Sequence, residues 1–209
     1  MIADKPEESG NINDVGFQGE YNLSIATDQV KEGNYSIKAD GDSSGFSGRD
    51  FSRNWGYTGS DVYIRTWVRI ADLANMAGVS LVAVGSDSSW NFIGICFNPD
   101  GTARVNWQFG TGATSLLSVN AAEWFLLDAH FHAVGSAGPS TALIKVNGTT
   151  FIDYSEVIEV GAHDRIGVGQ DYGTYHDDPG AVWFDSPQID IVPIPAAEAP
   201  RVAFRLVVS

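Results

Sequence analysis

At 209 residues the chain is long enough for one full-sized domain, and 44% hydrophobic residues with 23 glycines suit a packed, turn-rich core rather than disorder. Its formal net charge of −14, from 12 Lys+Arg against 26 Asp+Glu, repels polyanions, which excludes nucleic acid and anionic membrane surfaces as partners. A single cysteine excludes an internal disulfide, and no apolar run has the length of a transmembrane helix.

In chain order, MIADKPEESG opens without a basic or apolar leader region, so no secretion signal is visible. Either a signal has been trimmed or the protein does not take the secretory route, and residues 1–19 are expected to form an N-terminal extension. Turn signals then recur roughly every eight to fifteen residues, at EGN, ADGDSSG, NPDG, FGTGATS, GSAGPS, VNGTT and QDYGTYHDDPG. The short runs between them are rich in β-branched and aromatic residues, the spacing of a sandwich or jelly roll. DVYIRTWVRI (61–70) sets Val62, Ile64, Val68 and Ile70 on one face and Tyr63, Arg65, Trp67 and Arg69 on the other. RIADLANMAG is read as one or two helical turns before Gly78. Cys96, in NFIGICFNPDG, reads as a buried apolar thiol. ARVNWQFG opposes Arg104, Asn106 and Gln108 to Val105, Trp107 and Phe109.

NAAEWFLLDAHFHAVG begins with helix formers but then alternates, and we read it as a strand with Trp124, Leu126, Asp128, His130 and His132 on one face. In TALIKVNGTTFIDY, Asn147-Gly148 signals a type I′ hairpin. AVWFDSPQIDIVP (181–193) is the closing strand, with Asp185 set among apolar residues. Residues 193–209 are a proline-stiffened linker, PIPAAEAP, followed by RVAFRLVVS. There Val202, Phe204, Leu206 and Val208 alternate as in a strand, so the tail is expected to add to a sheet edge of a neighbouring subunit or of another virion protein.

The ordered set QVKEGNYSIKAD, DVYIRTWVRI, NPDGTARVNW, EWFLLDAHFH, IKVNGTTF, RIGVGQ and AVWFDSPQIDIV resembles concanavalin A-like, laminin-G-like jelly rolls over residues 20–192. The resemblance implies an all-β, antiparallel jelly-roll β-sandwich with an extended C-terminal tail. It also implies that the closing-strand aspartate, here Asp185, caps a loop or helps hold a structural calcium together with carboxylates and carbonyls near the N-terminus. The second aspartate usual in that motif is Ser186 here, which removes one ligand. Two roles for Asp185 therefore stand open: calcium ligand, or acceptor of backbone N–H groups.

Tyr63, Arg65, Trp67, Arg69, Asn106, Gln108, His130 and His132, with Arg104 and Asp128, would line one surface if their strands are neighbours. Aromatic faces stack on a pyranose while guanidinium and amide groups bond its hydroxyls, so this set suits a glycan. The same set equally suits a half-exposed sheet with its arginines paired to carboxylates. A hydrolase pair of the E-x-D-x-x-E type is missing. Tyr63, Arg65, Gln108 and His130 are the types a polysaccharide lyase uses, but a Q-x-H strand and a Tyr/Lys-rich closing strand are missing. Tyr175, His176, Asp177 and Asp178 could meet a metal or form a solvated turn. GVGQDYG lacks phosphate-loop spacing, and the sequons matter only in a secretory pathway.

The expectation is a non-catalytic virion surface or decoration protein, of a phage head or tail, whose polar face contacts host glycans. The alternative is an extracellular carbohydrate-binding module of a secreted polysaccharide-degrading enzyme, and a lyase comes third.

Overall fold

The computed structural model describes residues 3–11, 23–40, 59–74, 80–86, 91–107, 110–134, 137–158, 165–171 and 180–195. Among them the strands, in chain order, are β1 (Ala3–Asp4), β2 (Leu23–Ala26), β3 (Ser36–Asp40), β4 (Asp61–Ile70), β5 (Ser80–Ser86), β6 (Asn91–Phe97) and β7 (Thr102–Trp107). They continue with β8 (Gly110–Ser118), β9 (Trp124–His132), β10 (Ser140–Val146), β11 (Thr149–Glu156), β12 (Arg165–Asp171) and β13 (Ala181–Asp190). One sheet runs β11-β10-β9-β4-β13-β3-β2, with β1 paired to β13. The other runs β12-β5-β6-β7-β8. All pairings are antiparallel.

Period-two patterning explains the layers. Val62, Ile64, Val68 and Ile70 of β4 and Phe125, Leu127 and Phe131 of β9 are buried on the inner face. Ile93, Ile95 and Phe97 of β6 and Val105 of β7 close over them in one cluster, to which β13 adds Val182 and Phe184. Each fully buried side chain of this kind contributes about 1.5–3 kcal/mol. Because β4 and β9 pair in register, Tyr63 lies opposite His130 and Arg65 opposite Asp128 on the outward face. The hairpin at Asn147 (φ 49°) and Gly148 (φ 78°) has two consecutive left-handed residues, as a type I′ turn requires.

The closing strand is bulged. Asp185 pairs with Trp67 and Gln188 with Arg65, so three steps on β13 match two on β4. The extra residue is accommodated at Ser186 (φ 50°). Since Phe184 meets Val68 on the core side, Asp185 points to the outer side, yet it is fully buried. Its cover is the N-terminal stretch and the 31–32 loop.

Three expectations are corrected. Residues 3–11 belong to the sandwich: β1 pairs with β13, Lys5 N–H bonds the Pro187 carbonyl at 2.9 Å, and a 3-10 turn at Pro6–Ser9 buries Glu7. A two-residue strand is too short to carry a period signal. FGTGATS is not a turn throughout, because residues from Gly110 onward form β8. Of the expected helical turns after Arg69, the described part is a bend in which Asp72 Oδ1 accepts Ala74 N–H at 2.9 Å. Tyr175, His176, Asp177, Asp178, Val202, Phe204, Leu206 and Val208 lie outside the described residues.

Candidate functional site

The outward residues of β4, β9 and β10 line a cleft of about 370 Å³. Its floor carries Tyr63, Arg65, Asp128, His130 and Lys145, and Pro193-Ile194 form a wall. Tyr63 and His130 stack, with ring centroids 4.0 Å apart and planes 4° from parallel. Arg65 Nε donates to Asp128 Oδ1 at 2.5 Å, and Arg65 Nη1 donates to the Pro195 carbonyl. The linker therefore starts by crossing this face rather than leaving it.

Beside the stack, His130 Nε2 and His132 Nδ1 share Asp61 Oδ1, at 2.9 and 3.0 Å. Burial pushes the Asp61 carboxyl up, but the two histidine hydrogen bonds outweigh it and hold the group below the usual carboxylate range. Burial and the Asp61 charge push the Tyr63 phenol up, so it stays a hydroxyl donor. Stacked rings with cationic and hydroxyl donors at their rim can hold a small polyol: the rings meet its C–H groups and the donors its oxygens.

The expected polar face is thus divided. Tyr63, Arg65, His130 and His132 come together, with Asp128. Trp67 and Arg69 stand further along β4 in a separate packed patch. Lys31 Nζ covers the Trp67 ring at 4.7 Å, and Trp67 Nε1 donates to Glu32 Oε1 at 2.9 Å. Arg69 lies over the Trp183 ring at 5.2 Å. Asn106, with Arg104, is on β7 of the other sheet, so it cannot share this surface; the two outer faces of a sandwich point apart. Gln108 lies outside the described residues. Lys145, Asp61 and the linker were missed. Lys145 was legible, since TALIKV alternates just as β4 does.

At the bulge, Asp185 Oδ2 accepts Lys31 N–H at 2.6 Å and Glu32 N–H at 3.2 Å, and Asp185 Oδ1 accepts Ser186 Oγ–H at 2.9 Å. This is the backbone-accepting role. The structure also brings an N-terminal carboxylate to the same place. Glu7 Oε1 accepts Ser186 N–H at 2.9 Å, while buried Glu7 Oε2 has no hydrogen-bond partner. Burial pushes Glu7 to about 7, and the Asp185 charge adds to the rise. Burial raises Asp185 as well, against the pull of its N–H donors. Of this carboxylate pair, Glu7 Oε2 alone has no hydrogen-bond partner, and a hard, oxygen-liganded cation would suit it in charge and donor type. Among the described residues no three His, Cys, Asp or Glu side chains converge on a metal position.

No protein-family model matches the chain, and no curated protein matches it. Solved structures do. Cellulose induced protein, Cip1, superposes with a TM-score of 0.69 over 93% of this chain and 100% of its own, at 15% identity. The fold is an antiparallel jelly-roll β-sandwich. The same jelly roll is found in alginate lyase Aly36B, with a TM-score of 0.55, 14% identity, and coverage of 90% of this chain and 92% of that one. It is found too in botulinum neurotoxin type C, in a structure concerned with interaction with two ganglioside molecules, at a TM-score of 0.56 and 13% identity. There the match covers 84% of this chain and 43% of the toxin chain. At these identities the likeness concerns the jelly roll alone.

Proposed function

We propose that the cleft on β4, β9 and β10 binds a saccharide and that the chain is a carbohydrate-binding jelly roll without catalytic activity. The observation that carries this reading is the Tyr63–His130 stack beside Arg65 and Lys145 in one cleft. Similar folds that are described as alginate lyases, or in connection with gangliosides, support it. Two settings suit such a binder: a virion surface, or the exterior of a cell as a module of a polysaccharide-degrading enzyme. Glycan-array binding that disappears in Tyr63→Ala and Lys145→Ala is the expected result. No binding by the parent chain to neutral or acidic oligosaccharides at millimolar concentration overturns the reading.

A lyase is the second reading, favoured by the presence of Tyr63, Arg65, His130 and Lys145 in that cleft. The upward shift of the Tyr63 phenol opposes its use as a base. Incubation with polyuronates and a search for unsaturated products decides between the two.

We also propose that Glu7 and Asp185 hold a structural calcium, with main-chain carbonyls and water completing six to eight oxygens. When bound, the ion neutralises the buried carboxylate pair and ties the N-terminal stretch to β13.

A further inference from the structure

The outward row of β9 runs on beyond the cleft. Phe125, Leu127 and Phe131 are buried in the core, so Trp124, Leu126, Asp128 and His130 share the opposite face. Asp128 and His130 line the cleft, whereas Trp124 lines a second depression of about 520 Å³ beside β8. At about 3.3–3.4 Å per residue, the row from His130 to Trp124 is roughly 20 Å long. Half-buried Leu126 lies between the two hollows, and the β10–β11 tip is tied to it twice. Asn147 N–H donates to the Leu126 carbonyl and Leu126 N–H donates to Asn147 Oδ1, each at 2.9 Å. Gly148 bounds the cleft at this tip, while Asn147 and Thr149 line the depression. Among the described residues, no atom lies within 4 Å of where a Cβ on Gly148 would stand, so the way past the tip is open.

The depression has the mixed lining that a sugar needs. Trp124 supplies ring surface, and Leu116, 99% exposed, supplies an apolar rim. Among the described residues Glu123 is the one charged lining group, and it accepts Asn120 Nδ2–H at 3.0 Å. Asn147 Oδ1 is committed to Leu126 N–H, which turns the Nδ2 donors away from it. Among the described residues those donors have no partner, so a ligand hydroxyl can take them.

We propose that the ligand of the cleft is a linear oligosaccharide, held first at the Tyr63–His130 stack and then, past Leu126, against Trp124, Leu116 and Asn147. The inference rests on the saccharide reading and adds length to it: the protein recognises a chain of sugars, not a single terminal one. A disaccharide in the cleft leaves the depression without a contact.

The test is calorimetry on the full chain with gluco-, manno- and uronic-acid oligomers, each as disaccharide and hexasaccharide. Within the series that binds, the hexasaccharide should bind about tenfold more tightly. Leu116→Ser, at an exposed site, should remove most of that gain and leave disaccharide affinity and melting temperature unchanged. Asn147→Asp keeps the Oδ1 acceptor and tolerates the left-handed turn but loses the donors, and should act likewise with the neutral series. Should the variants not fold, the parent chain alone decides by NMR. The Asn147 side-chain amide signals should shift with the hexasaccharide and stay still with the disaccharide. Equal affinity for both lengths, a gain that survives both variants, or amide signals indifferent to the hexasaccharide overturns the inference and leaves the saccharide reading standing. Binding of neither length in any series overturns both.

Discussion

Tyr63 and His130 stand face to face across the β4–β9 pair, and the Asp61 carboxylate fixes the imidazole from the side through His130 Nε2. Neither ring can turn without breaking the stack or the hydrogen bond, so the cleft is built before any ligand arrives. Removing the phenol ring should therefore cost affinity rather than fold. Tyr63→Ala is expected to weaken saccharide binding at least tenfold by calorimetry, with the melting temperature nearly unchanged. Tyr63→Phe keeps the stack and isolates what the hydroxyl adds.

Trp67 should behave in the opposite way. Its ring packs under Lys31 and its Nε1–H is held by Glu32, so it serves the 31–32 loop. Trp67→Ala should destabilise by about 1–2 kcal/mol, at about 2–4 °C per kcal/mol for a chain of this size. Saccharide affinity should not change. A binding loss without a stability loss would place Trp67 in the ligand site.

Glu7 makes stability depend on pH. Its folded pKa is raised from 4.5 to about 7, so between those values the folded state holds more protons than the unfolded state. Stability contributed by that proton is complete below pH 4.5 and is lost as pH rises through 7. The largest effect is roughly 3 kcal/mol. Metal-free protein should therefore melt at a lower temperature at pH 8 than at pH 5.5. Glu7→Gln should flatten the profile and raise the melting temperature at pH 8. A parent profile flat over this range would show that Glu7 titrates normally.

Calcium should have the same effect as the proton, by another route. At pH 8, added calcium should raise the melting temperature of chelator-treated protein, and a hundredfold excess over Kd gives about 2.7 kcal/mol by mass action. Asp185→Asn and Glu7→Gln should each abolish the response. Identical melting curves with chelator and with calcium would rule out the ion and leave protonation of Glu7 as the way the pair is tolerated.

The strands that position the cleft were legible because β4, β9 and β10 each bury alternate residues, and period two survives in the sequence as Val62, Ile64 and Val68 against Tyr63, Arg65 and Trp67. Which strands are neighbours was not legible. Asn106 shows the same alternation as Tyr63, yet pairing order puts it on the opposite side of the molecule. Nor could periodicity find Glu7. Its burial comes from a two-residue strand and a single 3-10 turn meeting a bulge at the other end of the chain, and no local pattern encodes a contact between residues so far apart in sequence. Asp185 was legible as unusual, because one carboxylate in an apolar run demands partners, though the sequence did not say which.

The pairing of β1 with β13 also has a mechanical consequence. Ala3 faces Ile189 and Asp4 faces Gln188, in antiparallel register at one rim of the sheet. Tension drawing the N-terminal stretch away from β13 across the ladder would load these pairs one after another, as a zipper opens, instead of all at once in shear. The first rupture would also withdraw Glu7 from Ser186 and open the buried carboxylate pair to water. Under force, this seam should yield well before the β4–β9 ladder beneath the cleft, so the ligand-holding strands are insulated from a pull that detaches the chain's leading end.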